Sequence, residues 1–271
     1  MNKLHHNRYS NHFTVHWKWL HRFFQQMGEL SIFTFHFFRH LFQRPFEGRE
    51  FIRQSTVIGL STLPIVTLTG FIMGLVLTLQ TRPVLLDFGA ESWTPSMIAI
   101  SIVREMGPVI TALICAGKIG SGIGAELGAM RVTEQIDAMT VSGTHPMKYL
   151  VVTRILAVTF VLPILVFYAD TVALYGSYLA INLNSQLAPS LFIAQVFEEL
   201  YFFDILPATI KTIGFGFAIG LISCYKGYYT LNGTEGVGRS ANAAVVASSL
   251  AIFVLDLMAV KLHDLFHVWN Y

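Results

Sequence analysis

The chain has 271 residues, of which 54% are hydrophobic and only 13% charged, with a formal net charge of +2. A soluble domain carries about 25% charged residues, so this composition describes a polytopic membrane protein and excludes most soluble-enzyme classes. The mild basic excess needs no nucleic-acid partner to explain it.

The charge is unevenly spread. Residues 1–53 hold eight Lys and Arg against three acids, and the remainder holds ten against thirteen. A basic leader ahead of the first span predicts a cytoplasmic N-terminus. The first 16 residues are polar and rich in His and Asn, unlike a cleavable signal peptide. Within residues 17–44, Leu20, Phe23, Phe24, Met27, Leu30, Phe33, Phe37 and Leu41 recur at three- and four-residue steps. Lys18, Arg22, Arg39 and Arg44 are spaced to reach headgroups, which predicts an amphipathic helix in the membrane plane; an ordinary surface helix is the plainer reading. The leader's histidines, His5, His6, His12, His16, His21, His36 and His40, are read as solvated or interfacial, and no metal site is expected.

Five apolar spans follow. Span 1, Val57–Leu79, has no charge, and Pro64, Gly70 and Gly74 are expected to bend or loosen it. A loop, 81–94, holds Arg82, Asp87, Glu91 and Trp93. Span 2, from about Pro95 to Glu126, is longer than the roughly 20 residues a crossing needs, so a tilt or a kink at Pro108 is expected. A polar excursion occupies 128–147. Span 3 runs from Val151 to Leu179, with Asp170 toward its far end and a candidate for the rim of a polar cluster. An acidic loop, 184–204, precedes span 4, Ile205–Tyr225. A glycine-rich loop, Gly227–Arg239, precedes span 5, Ala241–Val260. Five crossings put the C-terminus outside, and the basic residues fall accordingly in the inner loops, at Arg131, Lys148, Lys226 and Arg239. Cys115 and Cys224 lie in apolar spans and read as small buried hydrophobes. The expected organisation is a basic N-terminal segment, 1–53, with its interfacial helix, and a five-span all-α domain, 54–271.

Charge inside a bilayer costs roughly 2.5 kcal/mol or more per group, so charged residues within spans are candidates for function. Glu105, beside Arg104, lies about 15 Å into span 2, Lys211 about 9 Å into span 4, and Asp256 about 8 Å short of the outer face on span 5, by the helical rise. Lys211 and Asp256 are therefore expected to pair, with Glu105 nearby and deeper. Such a cluster either lines a cavity in the outer half of the membrane or fixes helix register. Gly120, Gly124 and Gly128 form a four-residue ladder that admits a close helix neighbour, within the chain or in a second copy. It is not a phosphate loop, because no strand precedes it and the residue order is wrong. Residues 131–142 have helical character, with Val132, Ile136 and Met139 on one stripe and Glu134, Gln135 and Asp137 off it; they suit a short docking helix or a plain connection.

At this point the sequence itself resembles a family. Arg104-Glu105-Met106-Gly107-Pro108, followed by the run from Ala125-Glu126-Leu127-Gly128 through Arg131-Val132-Thr133-Glu134-Gln135-Ile136-Asp137, looks like the MlaE/YrbE permeases of ABC transporters that work with MCE proteins. Gly70–Gln80 and Gly233–Arg239 extend the likeness over roughly residues 50–260. The resemblance implies a homodimeric, exporter-like permease in the bacterial inner membrane, with its N-terminus cytoplasmic and its C-terminus periplasmic. It implies two copies of a cytoplasmic ATPase that bind the ATP and magnesium, an MCE hexamer on the periplasmic face, phospholipid as cargo, and room for a cytoplasmic regulatory subunit. On this chain it implies that Arg131, Glu134, Gln135, Asp137 and Met139 belong to the coupling helix. Met73, Leu77 and Gln80 would line the lipid pocket, and Arg104, Glu105, Lys211 and Asp256 would be the intramembrane charges. The subunit is expected to be non-catalytic and without a cofactor of its own. The rival classes are an ion-coupled transporter or channel using the same charges, and a lipid-modifying enzyme, for which no nucleophile and base pair is apparent.

Overall fold

The computed structural model describes the backbone of residues 6–43, 47–183, 186–200, 202–231 and 233–269, and side chains in 24–43, 47–183, 186–200, 205–231 and 233–262. Every regular element among them is helical. The chain divides into two compact units, Met1–Phe46 and Glu47–Tyr271. The first is a single long helix, α1 (His6–Leu41), which starts well ahead of the stretch read from periodicity. Phe24, Met27, Ile32, Phe35 and Phe38 are exposed along it. His5, His6, His12, His16 and His21 fall outside the described side chains.

Among its described residues, the second unit has five helical segments long and apolar enough to cross a membrane: Gly48–Asp87, Glu91–Val132, Met147–Asn182, Ile205–Tyr228 and Gly233–Leu262. The first is α2 (Gly48–Asp87), 40 residues in one helix, or about 60 Å at the helical rise. It outruns the apolar stretch at both ends because polar contacts hold its extra turns. In the first turn Arg53 donates to Glu50 at 2.7 and 2.8 Å and Gln54 donates to Glu50 at 2.8 Å. In the last turns Arg82 pairs with Glu91 at 2.7 Å. The expected loop 81–94 thus shrinks: Arg82 and Asp87 are helical, and Glu91–Trp93 is a 3-10 turn. Pro64 and Pro83 both sit within α2 without ending it.

The second segment is built from α3 (Thr94–Ser101), a π turn (Ile102–Met106), α4 (Gly107–Cys115), a second π turn (Ala116–Gly120) and α5 (Ser121–Val132). The expected irregularity lies just before Pro108. Proline brings no N–H to the ladder, and the turn ahead of it shifts to i→i+5 pairing, with the Gly107 N–H donating to the Ile102 carbonyl. After α5 come a tight turn and α6 (Gln135–Val141), then a π turn (Met147–Val152) that leads into α7 (Thr153–Asn182). The acidic connection expected at 184–204 holds a helix, α8 (Pro189–Glu198), started by Pro189 in its first turn. The final pair is α9 (Phe202–Tyr228) and α10 (Gly233–Trp269).

The loop expected at Gly227–Arg239 is overturned. Gly227 closes α9, and Gly233 to Arg239 are the first turns of α10. Two of its glycines serve close approach: a Cβ on Gly236 would lie 1.7 Å from the Leu231 carbonyl oxygen, and one on Gly227 2.8 Å from the Leu127 Cβ. Only Gly233, at φ +64, uses the left-handed region there.

The most buried helix is α7, with α2 along one side and α9 on another; α9 in turn packs on α10, and α5 packs on both α9 and α10. Small residues set these distances. A Cβ on Gly74 would lie 1.8 Å from the Ala173 carbonyl oxygen, and one on Gly70 3.0 Å from that of Ala169. The glycines of span 1 therefore serve helix contact, and α2 passes through them unbroken. Backbones this close gain dispersion contacts that larger residues would forbid in a membrane, where no water drives association. The buried Thr78 hydroxyl is satisfied at this contact: it donates to the Gly74 carbonyl at 2.7 Å and lies 2.9 Å from Ser177.

Gly74→Ala is therefore expected to push α2 off α7 and lower stability by about 1–3 kcal/mol, the usual effect of overpacking. Gly122→Ala, at a site with open space around the added Cβ, should be neutral or mildly stabilising. Thermal unfolding of both variants in detergent checks this, and equal effects would contradict it.

Candidate functional site

Lys211 on α9 lies between two carboxylates from different elements. Its Nζ donates to Asp256 Oδ1 on α10 at 2.9 Å and to Glu105 Oε2 on the first π turn at 2.9 Å. The lysine side chain is 8% exposed, Asp256 20% and Glu105 49%, so the ammonium is enclosed and Glu105 faces an open side. The π turn has a local role here. Its wider winding leaves Arg104, Glu105 and Met106 exposed together while Ile102 and Val103 stay buried. Arg104 is not a partner of Lys211. The lysine ammonium, costly to leave unpartnered in an apolar setting, is held by both carboxylates.

Asp170 does not join this cluster. It lies twelve residues before Asn182 on α7, 7% exposed, with its carboxyl against Gly107, where a Cβ would lie 1.8 Å from Oδ1. Met73 and Leu77 are half-buried against Ile98, Ile102 and Ala173, and Gln80 is exposed. All three lie on α2. A cleft of about 360 Å³ opens elsewhere, beside α8, between Arg82, Glu91, Thr94, Gln186, Leu187 and Gln195.

At the opposite end of the bundle, α6 stands on a strained turn. Glu134 precedes it at φ 58, a left-handed conformation uncommon outside glycine. Arg131, at the end of α5, donates to Asp137 at 2.6 Å across that turn. Ile136 is buried and Met139 half-buried, while Glu134, Gln135 and Asp137 are exposed, so α6 is pinned by one apolar side and presents acids and an amide outward. The glycine ladder above it packs within the chain: Gly120 against Ser223, Gly124 against Ala241 and Ala244, and Gly128 against Thr230 and Ser240.

The same end holds a network that the sequence reading missed. Arg154 on α7, 1% exposed, donates to Glu126 on α5 at 2.6 Å and to the Leu150 carbonyl at 3.0 Å. Nearby in sequence, Tyr149 donates to Glu50 of α2 at 3.2 Å. The signal was available: Arg154 stands three residues inside a span whose one other charge is Asp170, and Glu126 ends the preceding one. Cys115 and Cys224 are both buried as free thiols.

Five apolar helical segments, an enclosed charge cluster and a short polar helix at one end define a multi-pass membrane permease. The chain belongs to the MlaE permease family, whose profile, described as Permease MlaE, matches residues 51–262. It is 37% identical over 241 residues to a probable ABC transporter permease protein of Rickettsia prowazekii, covering 89% of this chain and 93% of the relative. It is 34% identical over 231 residues to a probable ABC transporter permease protein of Synechocystis, covering 85% and 88%. It is also 30% identical over 240 residues to the intermembrane phospholipid transport system permease protein MlaE of Haemophilus influenzae, covering 87% and 91%.

Lys211→Ala strands both carboxylates, and its expected destabilisation approaches the ~3–5 kcal/mol of a broken buried pair, reduced because Glu105 is half exposed. Asp256→Asn leaves the Glu105 contact intact and should cost clearly less. Matched unfolding curves in which the two variants lose the same stability would rule out the bridging role of Lys211.

Proposed function

We propose that this permease moves phospholipid between the bacterial inner membrane and a periplasmic MCE hexamer that leads toward the outer membrane, as a homodimer driven by a separate cytoplasmic ATPase. The observation that carries this is the family match over nearly the whole five-span unit, with a relative named for intermembrane phospholipid transport. The chain supplies no phosphate-binding loop of its own, so ATP and magnesium belong to the ATPase. The N-terminus and α6 lie in the cytoplasm and α8 in the periplasm, following the basic residues near α6. In this arrangement α1 rests in the membrane interface on its exposed aromatic residues.

The physical basis is the fit of a lipid to two kinds of surface. Its tails need apolar walls, which the least buried helices, α2 and α10, provide toward a second copy. Met73, Leu77 and Gln80 lie on the α2 side of such a cavity. Its head needs charge, which Arg104 and the half-exposed Glu105 present on one turn, with Lys211 and Asp256 behind them. Closure of the ATPases would bring the two α6 helices together and narrow the cavity. Exposed Glu134, Gln135 and Asp137 are the ATPase contacts, held in place by Arg131 and Met139.

A Glu134→Lys, Gln135→Lys double variant, which spares the Arg131–Asp137 pair, is expected to keep the fold and lose ATP-driven lipid transfer by about 5–150-fold, the span of ordinary coupling energies, when reconstituted with the ATPase in proteoliposomes. Transfer that proceeds at the wild-type rate in the variant overturns the role of α6. Transport by the chain alone, driven by an ion gradient without ATP, overturns the whole reading.

A further inference from the structure

Asp170 has no place in the transport reading, yet it is built into the centre of the five-span unit. Its Oδ1 is buried with no hydrogen-bond partner. The residue lines a small, partly open cavity of about 10 Å³ together with Val103, Pro163, Ala208, Thr209 and Thr212 among others, close to the space one water molecule needs. The two hydroxyls at this void have already given their protons to the helix: Thr209 donates to the Ile205 carbonyl at 2.8 Å and Thr212 to the Thr209 carbonyl at 2.7 Å. Toward the void they can only accept. A carboxylate can also only accept, so an ionised Asp170 would face acceptors across an apolar gap. The charged groups carried by neighbouring elements, Arg104 and Glu105 on the π turn and Lys211 on α9, do not line the void, and Lys211 is committed to Glu105 and Asp256.

We propose that Asp170 is a proton-binding site inside the bundle, a neutral carboxylic acid that donates through one trapped water to the hydroxyl oxygens of Thr209 and Thr212. The added proton turns an all-acceptor pocket into a matched one. The water then accepts from Asp170 and donates to both threonines, three partners of the two to four that a buried water makes. A metal cation in the same void would meet one carboxylate and two hydroxyls in apolar walls, too few oxygens for a hard ion. The link ties α7 to α9 immediately behind the turn that presents Glu105, and Gly107 keeps the space for it, since a Cβ there would overlap the carboxyl. This inference does not rest on what the permease carries.

The test is infrared difference spectroscopy of the purified chain in lipid nanodiscs at neutral pH, wild type against Asp170→Asn. The expected spectrum shows a protonated-carboxyl carbonyl band in the wild type that moves on exchange into D2O and is missing in the variant. A carboxylate band in its place overturns the proposal, as does a carboxylate band that changes with sodium, which would mark a cation site. Thr212→Val leaves the carboxyl in place, so it gives a reading even if the Asn variant does not assemble. The acid band should persist and shift to the position of a more weakly bonded acid, and an unshifted band overturns the bridge to α9.

Discussion

A lysine ammonium in an apolar bundle must be surrounded by acceptors or it will not stay there, and the far half of this unit is organised around that requirement. Lys211 draws a carboxylate from α10 and another from the second segment to 2.9 Å, so three elements distant in sequence share one charge. The wide turn at Ile102–Met106 is what lets the second segment take part, because it brings Arg104, Glu105 and Met106 out together. Pro108, two residues beyond, makes regular pairing unavailable there. The charge cluster and the irregular backbone are thus one device.

The other half of the unit solves the same problem differently. Arg154 is almost wholly enclosed and holds Glu126 and a backbone carbonyl, while Glu50 gathers Arg53, Gln54 and Tyr149 at the start of α2. From the same α5 that carries Glu126, Arg131 reaches Asp137 to hold α6. Between the two polar ends, glycine and alanine let α2, α7 and α9 approach to backbone contact.

Much of this was legible in the sequence. Hydropathy and length found all five segments, and the rise per residue alone put Lys211 and Asp256 at matching depth, because a helix converts sequence distance directly into height. The failures have physical causes. Helix ends were placed short because hydropathy sees lipid-facing turns and not polar ones such as Gly48–Arg53, which Glu50 holds together. Gly233–Arg239 reads as a loop because glycine reads as freedom, whereas Gly236 is there for a near contact with Leu231. Arg154 and Glu126 were passed over because each stands at a span end, where a charge looks solvated until the neighbouring helix is known. No single-sequence pattern announces α8 or the position of Asp170 over Gly107, since both depend on which helices become neighbours.

The central claim is that this chain is the membrane half of an ATP-driven phospholipid transporter. The most direct measurement is native mass spectrometry of the chain purified gently from its own membrane. The account predicts a particle with two copies of the chain, two copies of an ATPase, an MCE protein and bound phospholipid. A chain that emerges without an ATPase under several mild detergents, carrying no lipid, would contradict it and turn attention to Glu105, Lys211 and Asp256 as an ion relay.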